Sequence, residues 1–211
     1  MFRDRHDAGR QLAEWLGEYA DRDDVLVLGI PRGGVIVGAE IARLLDLPLD
    51  VVVASKIGAP GNPEYAIGAV DSDGRVTANP EAGYEVSELE HLARDVRERV
   101  ARRIDLYRQG RVPPELRDQT VIVVDDGIAT GLTALAALRY VRSHGAAYVI
   151  LATPVIAAST VPEVSLFADE VIAIERPEVF YAVGQFYRHF GQTSDDEVLD
   201  ALAEYGFEDD E

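Results

Sequence analysis

The chain has 211 residues, of which 47% are hydrophobic, and a formal net charge of −18. That apolar content can fill one sizeable core, so a single domain spanning 1–211 is expected, and so negative a field argues against nonspecific binding to nucleic acid or anionic membranes. The absence of cysteine excludes disulfides, thiolate metal sites and cysteine nucleophiles, and no apolar run approaches the roughly 20 residues of a membrane helix.

The opening residues, MFRDRH, are too charged for a signal peptide, and a cytoplasmic location is expected. Lys56 is the only lysine, every other basic residue being arginine, which invites a functional explanation for that position. An acid-rich, lysine-poor chain suits a high-salt cytosol, although a GC-rich genome also replaces lysine with arginine.

Leu12, Trp15, Leu16 and Tyr19 recur at helical spacing, which places the sole tryptophan in a core. Residues 25–30 (VLVLGI) read as a strand, 35–45 as a helix and 49–54 as a second strand. The stretch 56–80 reads as irregular, with a hairpin pairing 66–70 against 75–78. Ser87 and Glu90 have the spacing of a capping box for a long helix that aligns Leu89, Leu92, Val96, Val100, Ile104 and Tyr107. Asp95 and Glu98, four residues before Arg99 and Arg102, make the arginines of that helix a solvated face rather than a nucleic-acid stripe.

Residues 121–124 (VIVV) read as a buried parallel strand that ends on Asp125 and Asp126. Behind them Gly127, Ile128, Ala129, Thr130 and Gly131 make a short loop of small residues that opens into a helix over 132–141. Such a loop lets backbone N–H groups converge on an anion at a helix N-terminus, and Thr130 and Thr133 add hydroxyls. Two carboxylates beside a phosphate cradle suit a ligand with a phosphate and neighbouring hydroxyls, a sugar phosphate. The plainer alternative is an ordinary strand-to-helix turn with a capping Asp. Residues 148–152 and 171–174 are two further strands, and a last helix starts near Ser194. This alternation predicts a parallel sheet with right-handed crossovers and helices on both faces, and ligands gathered at the strands' C-terminal ends. His6, His91, His144 and His189 lie apart, without metal-ligand spacing.

The hydrophobic strand, acidic pair and Thr-Gly-x-Thr turn resemble the 5-phosphoribosyl-1-diphosphate (PRPP) signature of type I phosphoribosyltransferases, with Gly127 in place of the usual aliphatic residue. The resemblance implies an α/β fold with a parallel sheet flanked by helices, a flexible lid hairpin over 56–80 and a C-terminal hood over 177–191. It implies that GIPRGG at 29–34 is the pyrophosphate loop, with Gly33 contacting PRPP and Arg32 supplying planar donors to phosphate oxygens. KIGAPGNPE at 56–64 is similar to the family's lid, with Lys56 on the pyrophosphate and Glu64 as a base.

By the same resemblance Asp125 and Asp126 take the ribose 2′- and 3′-hydroxyls and touch Mg²⁺ only indirectly. Gly127, Ile128, Ala129, Thr130, Gly131 and Thr133 anchor the 5′-phosphate. PEVFYAVG at 177–184 resembles the hood of 6-oxopurine enzymes, in which Phe180 stacks on the base and the backbone near Tyr181 and Val183 reads its edge. The implied activity is Mg²⁺-dependent transfer of a 5-phosphoribosyl group to a nitrogenous acceptor, with a purine favoured, by a homodimer. Two departures leave the base open. Ala129 stands where the 6-oxopurine enzymes carry Asp, and no lysine remains to hold a 6-oxo group. A PRPP-sensing regulator or RNA-binding protein on the same fold is the alternative from another class, and a nucleotide-sugar binding module or phosphorylase-like activity is a third.

Overall fold

A computed structural model describes residues 1–206, the side chain of Glu64 excepted. Helix α1 (Arg5–Trp15) is followed by strand β1 (Val25–Gly29), helix α2 (Gly33–Leu45) and strand β2 (Leu49–Val51). Strands β3 (Ser55–Ala59), β4 (Asn62–Val70) and β5 (Val76–Ala78) come next, then helices α3 (Val86–Leu92) and α4 (Arg94–Arg108). The C-terminal half holds β6 (Thr120–Val124), α5 (Leu132–Ser143), β7 (Tyr148–Val155), α6 (Val161–Val164), β8 (Glu170–Glu175) and α7 (Asp195–Tyr205).

Five strands form a parallel sheet in the order β2-β1-β6-β7-β8, and β3, β4 and β5 form a separate antiparallel sheet. The long apolar strings of β1 and β6 follow from burial on both faces. Side chains alternate across the sheet. Val25, Val27, Ile122, Val124, Ile150 and Ala152 enter one core with α1, α2 and α7, while Leu26, Leu28, Val121, Val123, Val149 and Leu151 enter another with α5. The chain runs outward from β1 to β2, and later from β6 to β8 the other way, so the β1/β6 boundary is a topological switch point. Ligands collect at the carboxyl ends of strands at such points.

Several expectations shift. The strand expected over 49–54 is β-paired only through Val51, while the strands expected over 148–152 and 171–174 extend to Val155 and over Glu170–Glu175. The hairpin is present as β4 against β5, with Ala69 opposite Thr77. The turn-like sequence before it is itself a strand, however, and Lys56 lies opposite Ala69 in register. Trp15 is 57% exposed rather than core. The α-helix ends at that residue, and Ala8, Leu12 and Ala13 make its buried stripe.

The capping box falls two residues earlier than Ser87, with Glu85 N–H donating to the Glu88 carboxylate at 2.8 Å. Glu90 is drawn instead into an ion pair with Arg97. The long helix is divided at Ala93, and Leu92 is 37% exposed, whereas Leu89, Val96, Val100 and Tyr107 are buried as expected. The capped final helix is present, with Ser194 and Glu197 as its box. Among the described residues no helix is long and apolar enough to cross a membrane.

Candidate active site

The acidic pair sits where the switch point requires it. Asp125 follows the last residue of β6, and Ile30 N–H donates to Val124 O at 2.8 Å, which ties the loop after β1 to the same strand tip. Asp125 accepts the N–H of Asp126 at 2.9 Å. Burial, and then the neighbouring Asp126 carboxylate, push Asp125 well above the usual carboxylate range. A cation or a set of hydroxyl donors brought to this place would relieve that cost.

Asp126 is held from two distant parts of the chain. Arg5 Nε donates to its Oδ2 at 2.6 Å, both side chains being nearly buried at 13% and 15% exposure. The Tyr187 hydroxyl donates to its backbone oxygen at 2.6 Å. Burial, and then the charge of Asp126, raise Tyr187 above the normal phenol range. Neither Arg5 nor Tyr187 was anticipated. Arg5 lies in the charged opening run MFRDRH, which carries no motif, and Tyr187 is one of several aromatic residues in the 177–191 segment.

The loop expected to hold pyrophosphate runs straight into α2, whose first residue is Gly33. A Cβ on Gly33 would overlap Asp126 Oδ2 and come within 2.8 Å of Arg5 Nε, so glycine is required by the close approach of that pair. Arg32 and Gly33 line a cavity of 390 Å³ together with Arg5, Phe190, Gln192 and Thr193. Arg32 also lies 3.9 Å from Asp195, whose Oδ1 accepts the Tyr107 hydroxyl at 2.5 Å. Burial and that hydrogen bond push Tyr107 up to about 12.

The expected phosphate cradle is open at its helix end. Gly131, at φ +75°, caps α5 without any side-chain hydrogen bond, and Ala129 and Thr130 are exposed. Among the described residues, the N–H groups of Ala129, Thr130 and Gly131 have no acceptor within the chain. The loop is nevertheless rigidly backed. Ile128 N–H donates to Val155 O at 2.9 Å, Ala157 N–H donates to Ile128 O at 2.9 Å, and Thr160 Oγ1 donates to Ala129 O. Donors fixed in place before a ligand arrives are what anion binding at a helix N-terminus needs. Thr133 is half-buried in the first turn.

The segments expected to form the lid and the hood both adjoin this expected cradle. Ala54 and Ala69 of the hairpin region pack with Leu132 and Ala136 of α5, which roots the hairpin beside the helix that follows the loop 127–131. Lys56 is exposed on β3, and Glu64 lies in β4 with its side chain outside the described residues. In the hood, Phe180 packs against Phe186 with ring centroids 5.1 Å apart, and Tyr181 is 86% exposed. Val183 lies directly over the signature loop: a Cβ on Gly127 would overlap Val183 Cγ1 and come within 3.2 Å of Val155 Cγ1. The unusual glycine is therefore explained by the hood. Val183 and Val155 fill the space an aliphatic side chain at 127 would need.

Comparison with known proteins agrees with this geometry. The profile of the phosphoribosyl transferase domain matches residues 3–190. A Mycobacterium tuberculosis protein described only provisionally as a phosphoribosyl transferase is 45% identical over 204 residues, covering 94% of this chain and 46% of its own length, so the chain spans about half of that relative. The solved structure of TT1426 from Thermus thermophilus superposes with a TM-score of 0.82 at 41% identity, covering 98% of this chain and 99% of that one. The AQ2163 protein of Aquifex aeolicus shares the fold at 13% identity and a TM-score of 0.52, covering 85% of this chain and 78% of its own. With the acidic pair, the glycine loop and the uncapped helix gathered at one switch point, the chain belongs to the phosphoribosyl transferase domain family.

Proposed function

We propose that this domain transfers the 5-phosphoribosyl group of PRPP to a nitrogenous acceptor, with a purine favoured, and releases pyrophosphate. The observation that supports it most is the convergence of three features at one strand boundary. They are a buried carboxylate that forms no ion pair among the described residues (Asp125), a rigid loop whose N–H donors have no acceptor among those residues (129–131), and an arginine-bearing glycine loop (Arg32, Gly33).

In the reaction the bond from the ribose anomeric carbon to the pyrophosphate oxygen breaks, its electron pair leaves with pyrophosphate, and a nitrogen lone pair forms the new bond on the opposite face. The acceptor's proton goes to a base, for which Glu64 on the lid is the candidate. Positive charge builds on the ribose ring and negative charge on the leaving group, so the protein's work is positioning and electrostatics. The loop 127–131 with Thr133 anchors the 5′-phosphate, Asp125 and Asp126 orient the ribose, and Arg32 and Lys56 neutralise the departing charge. The hairpin closes over the sugar to exclude water, and the hood presents Phe180 and the backbone at Tyr181 and Val183 to the base.

Mg²⁺ fits this place as a shared rather than a caged ion. Asp125 and Asp126 offer hard oxygen donors, but no group of three or more His, Cys, Asp or Glu able to hold a metal occurs among the described residues. Mg²⁺ would be held largely by PRPP oxygens and water, with Asp125 and Asp126 acting on it indirectly, as suits an ion that keeps much of its hydration shell. When bound, Mg²⁺ supplies charge neutralisation at the phosphates. A cytoplasmic homodimer belongs to the same reading, supported by the family resemblance.

The test is pyrophosphate release from PRPP and Mg²⁺ across a panel of purine, pyrimidine and other nitrogen acceptors. Release with one acceptor class supports the reading and names the substrate. PRPP binding without release from any acceptor favours a sensor, and absence of PRPP binding overturns the reading.

A further inference from the structure

We propose that Arg5 is a binding residue for the diphosphate group of PRPP, and that Asp126 acts on that group by holding Arg5 in position. The inference rests on the transferase reading of the site. Arg5 is fixed on three sides: Nε donates to Asp126 Oδ2 at 2.6 Å, Nη1 donates to Gly191 O at 2.8 Å, and Cζ lies 4.1 Å from the centroid of the Phe190 ring. An ionic hydrogen bond and a stacked ring set the plane of a guanidinium that is otherwise costly to immobilise.

Those two bonds use two of five N–H groups. Arg5 also lines the 390 Å³ cavity, with Arg32, Gly33, Gln192 and Thr193 around it. A second cavity of 450 Å³ shares Arg32, Gln192 and Thr193 and extends the space toward Asp195 and Asp196.

Two guanidiniums on one cavity are notable in a chain with 20 basic and 38 acidic residues. Their natural partner is an anion with several oxygens, since the planar fork matches phosphate geometry. Arg32 has only a 3.9 Å contact with Asp195, whereas Arg5 is held at 2.6 Å by Asp126, so Arg5 is the more firmly positioned of the two guanidiniums. Gly33 explains how the pair can reach this place, because any side chain there would displace both Asp126 and Arg5 from the backbone that opens α2. The acidic pair is thus unequal: both carboxylates serve the ribose, and Asp126 in addition orients a cation for the leaving group through its Oδ2.

Calorimetry on the full chain with Mg²⁺ and three probes, PRPP, inorganic diphosphate and ribose 5-phosphate, tests this. Arg5→Gln should weaken PRPP and diphosphate about tenfold or more, the usual loss for a hydrogen bond to a charged group, while ribose 5-phosphate stays within about twofold. Arg5→Lys, which keeps the charge without the fork, should recover part of the loss, and it carries the test if the Gln variant fails to fold. Asp126→Asn, which also alters the ribose site, should weaken inorganic diphosphate as Arg5→Gln does, and the double variant Arg5→Gln/Asp126→Asn should weaken diphosphate no more than the larger single effect.

Equal losses for ribose 5-phosphate and PRPP would make Arg5 a structural clasp and overturn the proposal, as would unchanged diphosphate affinity. Unchanged diphosphate affinity in Asp126→Asn, or single losses that simply add in the double variant, would remove the positioning role of Asp126. Wild-type protein that binds diphosphate but not PRPP would refute the transferase reading and still judge Arg5, whereas binding of neither probe would refute both.

Discussion

Gly127→Ala is predicted to destabilise the protein through the hood rather than through the loop that contains it. Gly127 is not in the left-handed backbone region, so alanine meets no torsional penalty there. The added Cβ instead overlaps Val183 Cγ1 and comes within 3.1 Å of Cγ2 and 3.2 Å of Val155 Cγ1. Neither neighbour yields easily, since valine is stiff at χ1, Val183 begins a short helical turn over Val183–Phe186, and Val155 is fully buried at the end of β7. Overpacking of this kind costs about 1–3 kcal/mol, which for a chain of this length lowers the melting temperature by about 4–8 °C if the cost is near 2 kcal/mol.

The cycle with Val183→Ala isolates the cause. That substitution alone removes two methyl groups from a half-buried side chain and should cost on the order of 1 kcal/mol. If the clash is the mechanism, Gly127→Ala/Val183→Ala should melt close to Val183→Ala alone, a coupling of roughly 1–2 kcal/mol within the range for residues in contact. Circular dichroism melts of the four proteins measure it. A Gly127→Ala protein that melts within about 1 °C of wild type, or costs that simply add, would refute the hood's role in selecting glycine.

Asp125→Asn should melt above wild type at pH 7.5 and lose PRPP affinity. Burial and then Asp126 raise Asp125, so its favourable contribution is complete below the unfolded value of about 4 and is lost as pH rises through the higher folded value; a stability gap that fails to narrow from pH 7.5 toward pH 4.5 would contradict this. Lys56→Ala should lower kcat by about 10²-fold, as loss of one positioned donor often does, with a smaller change in PRPP affinity; unchanged turnover with an identified acceptor would return Lys56 to the surface. Because the chain carries −18, its melting temperature should rise with KCl, most steeply below a few tenths molar, as the Debye length shrinks from about 10 Å at 0.1 M to about 3 Å at 1 M. A flat or falling series would defeat the self-repulsion argument, and a plateau above that range would speak only against a halophilic origin.

What could be read from the sequence was encoded locally. VLVLG and VIVV announce central strands because both faces of the sheet are covered, and the acidic pair with its small-residue loop carries its chemistry in nine consecutive positions, 125–133. The three-stranded sheet is half legible. Its β4–β5 pairing shows in alternating residues, whereas β3 is disguised by Gly, Pro and Asn until Ile57 is seen fully buried beneath the hairpin. Helix starts were ambiguous where two frames satisfy the same rule. Glu85/Glu88 and Ser87/Glu90 both have three-residue spacing, and the choice depends on Arg97, seven residues beyond Glu90.

The site's supporting contacts belong to a different category. Arg5 reaches Asp126 across 121 positions and Tyr187 reaches it across 61, distances at which no local pattern can name a partner. Gly33 and Gly127 show where the boundary lies. Each departs from what a helix start or an aliphatic loop position would favour, so each signals that space is needed. The reason is a side chain brought by the fold from far away, Asp126 with Arg5 in one case and Val183 in the other. A glycine beside a functional motif is therefore legible as a demand for room. Only the three-dimensional arrangement shows that at Gly33 the room is taken by a cation's anchor and at Gly127 by the hood, which is why two neighbouring acidic residues that look equivalent in sequence are unequal in the folded site.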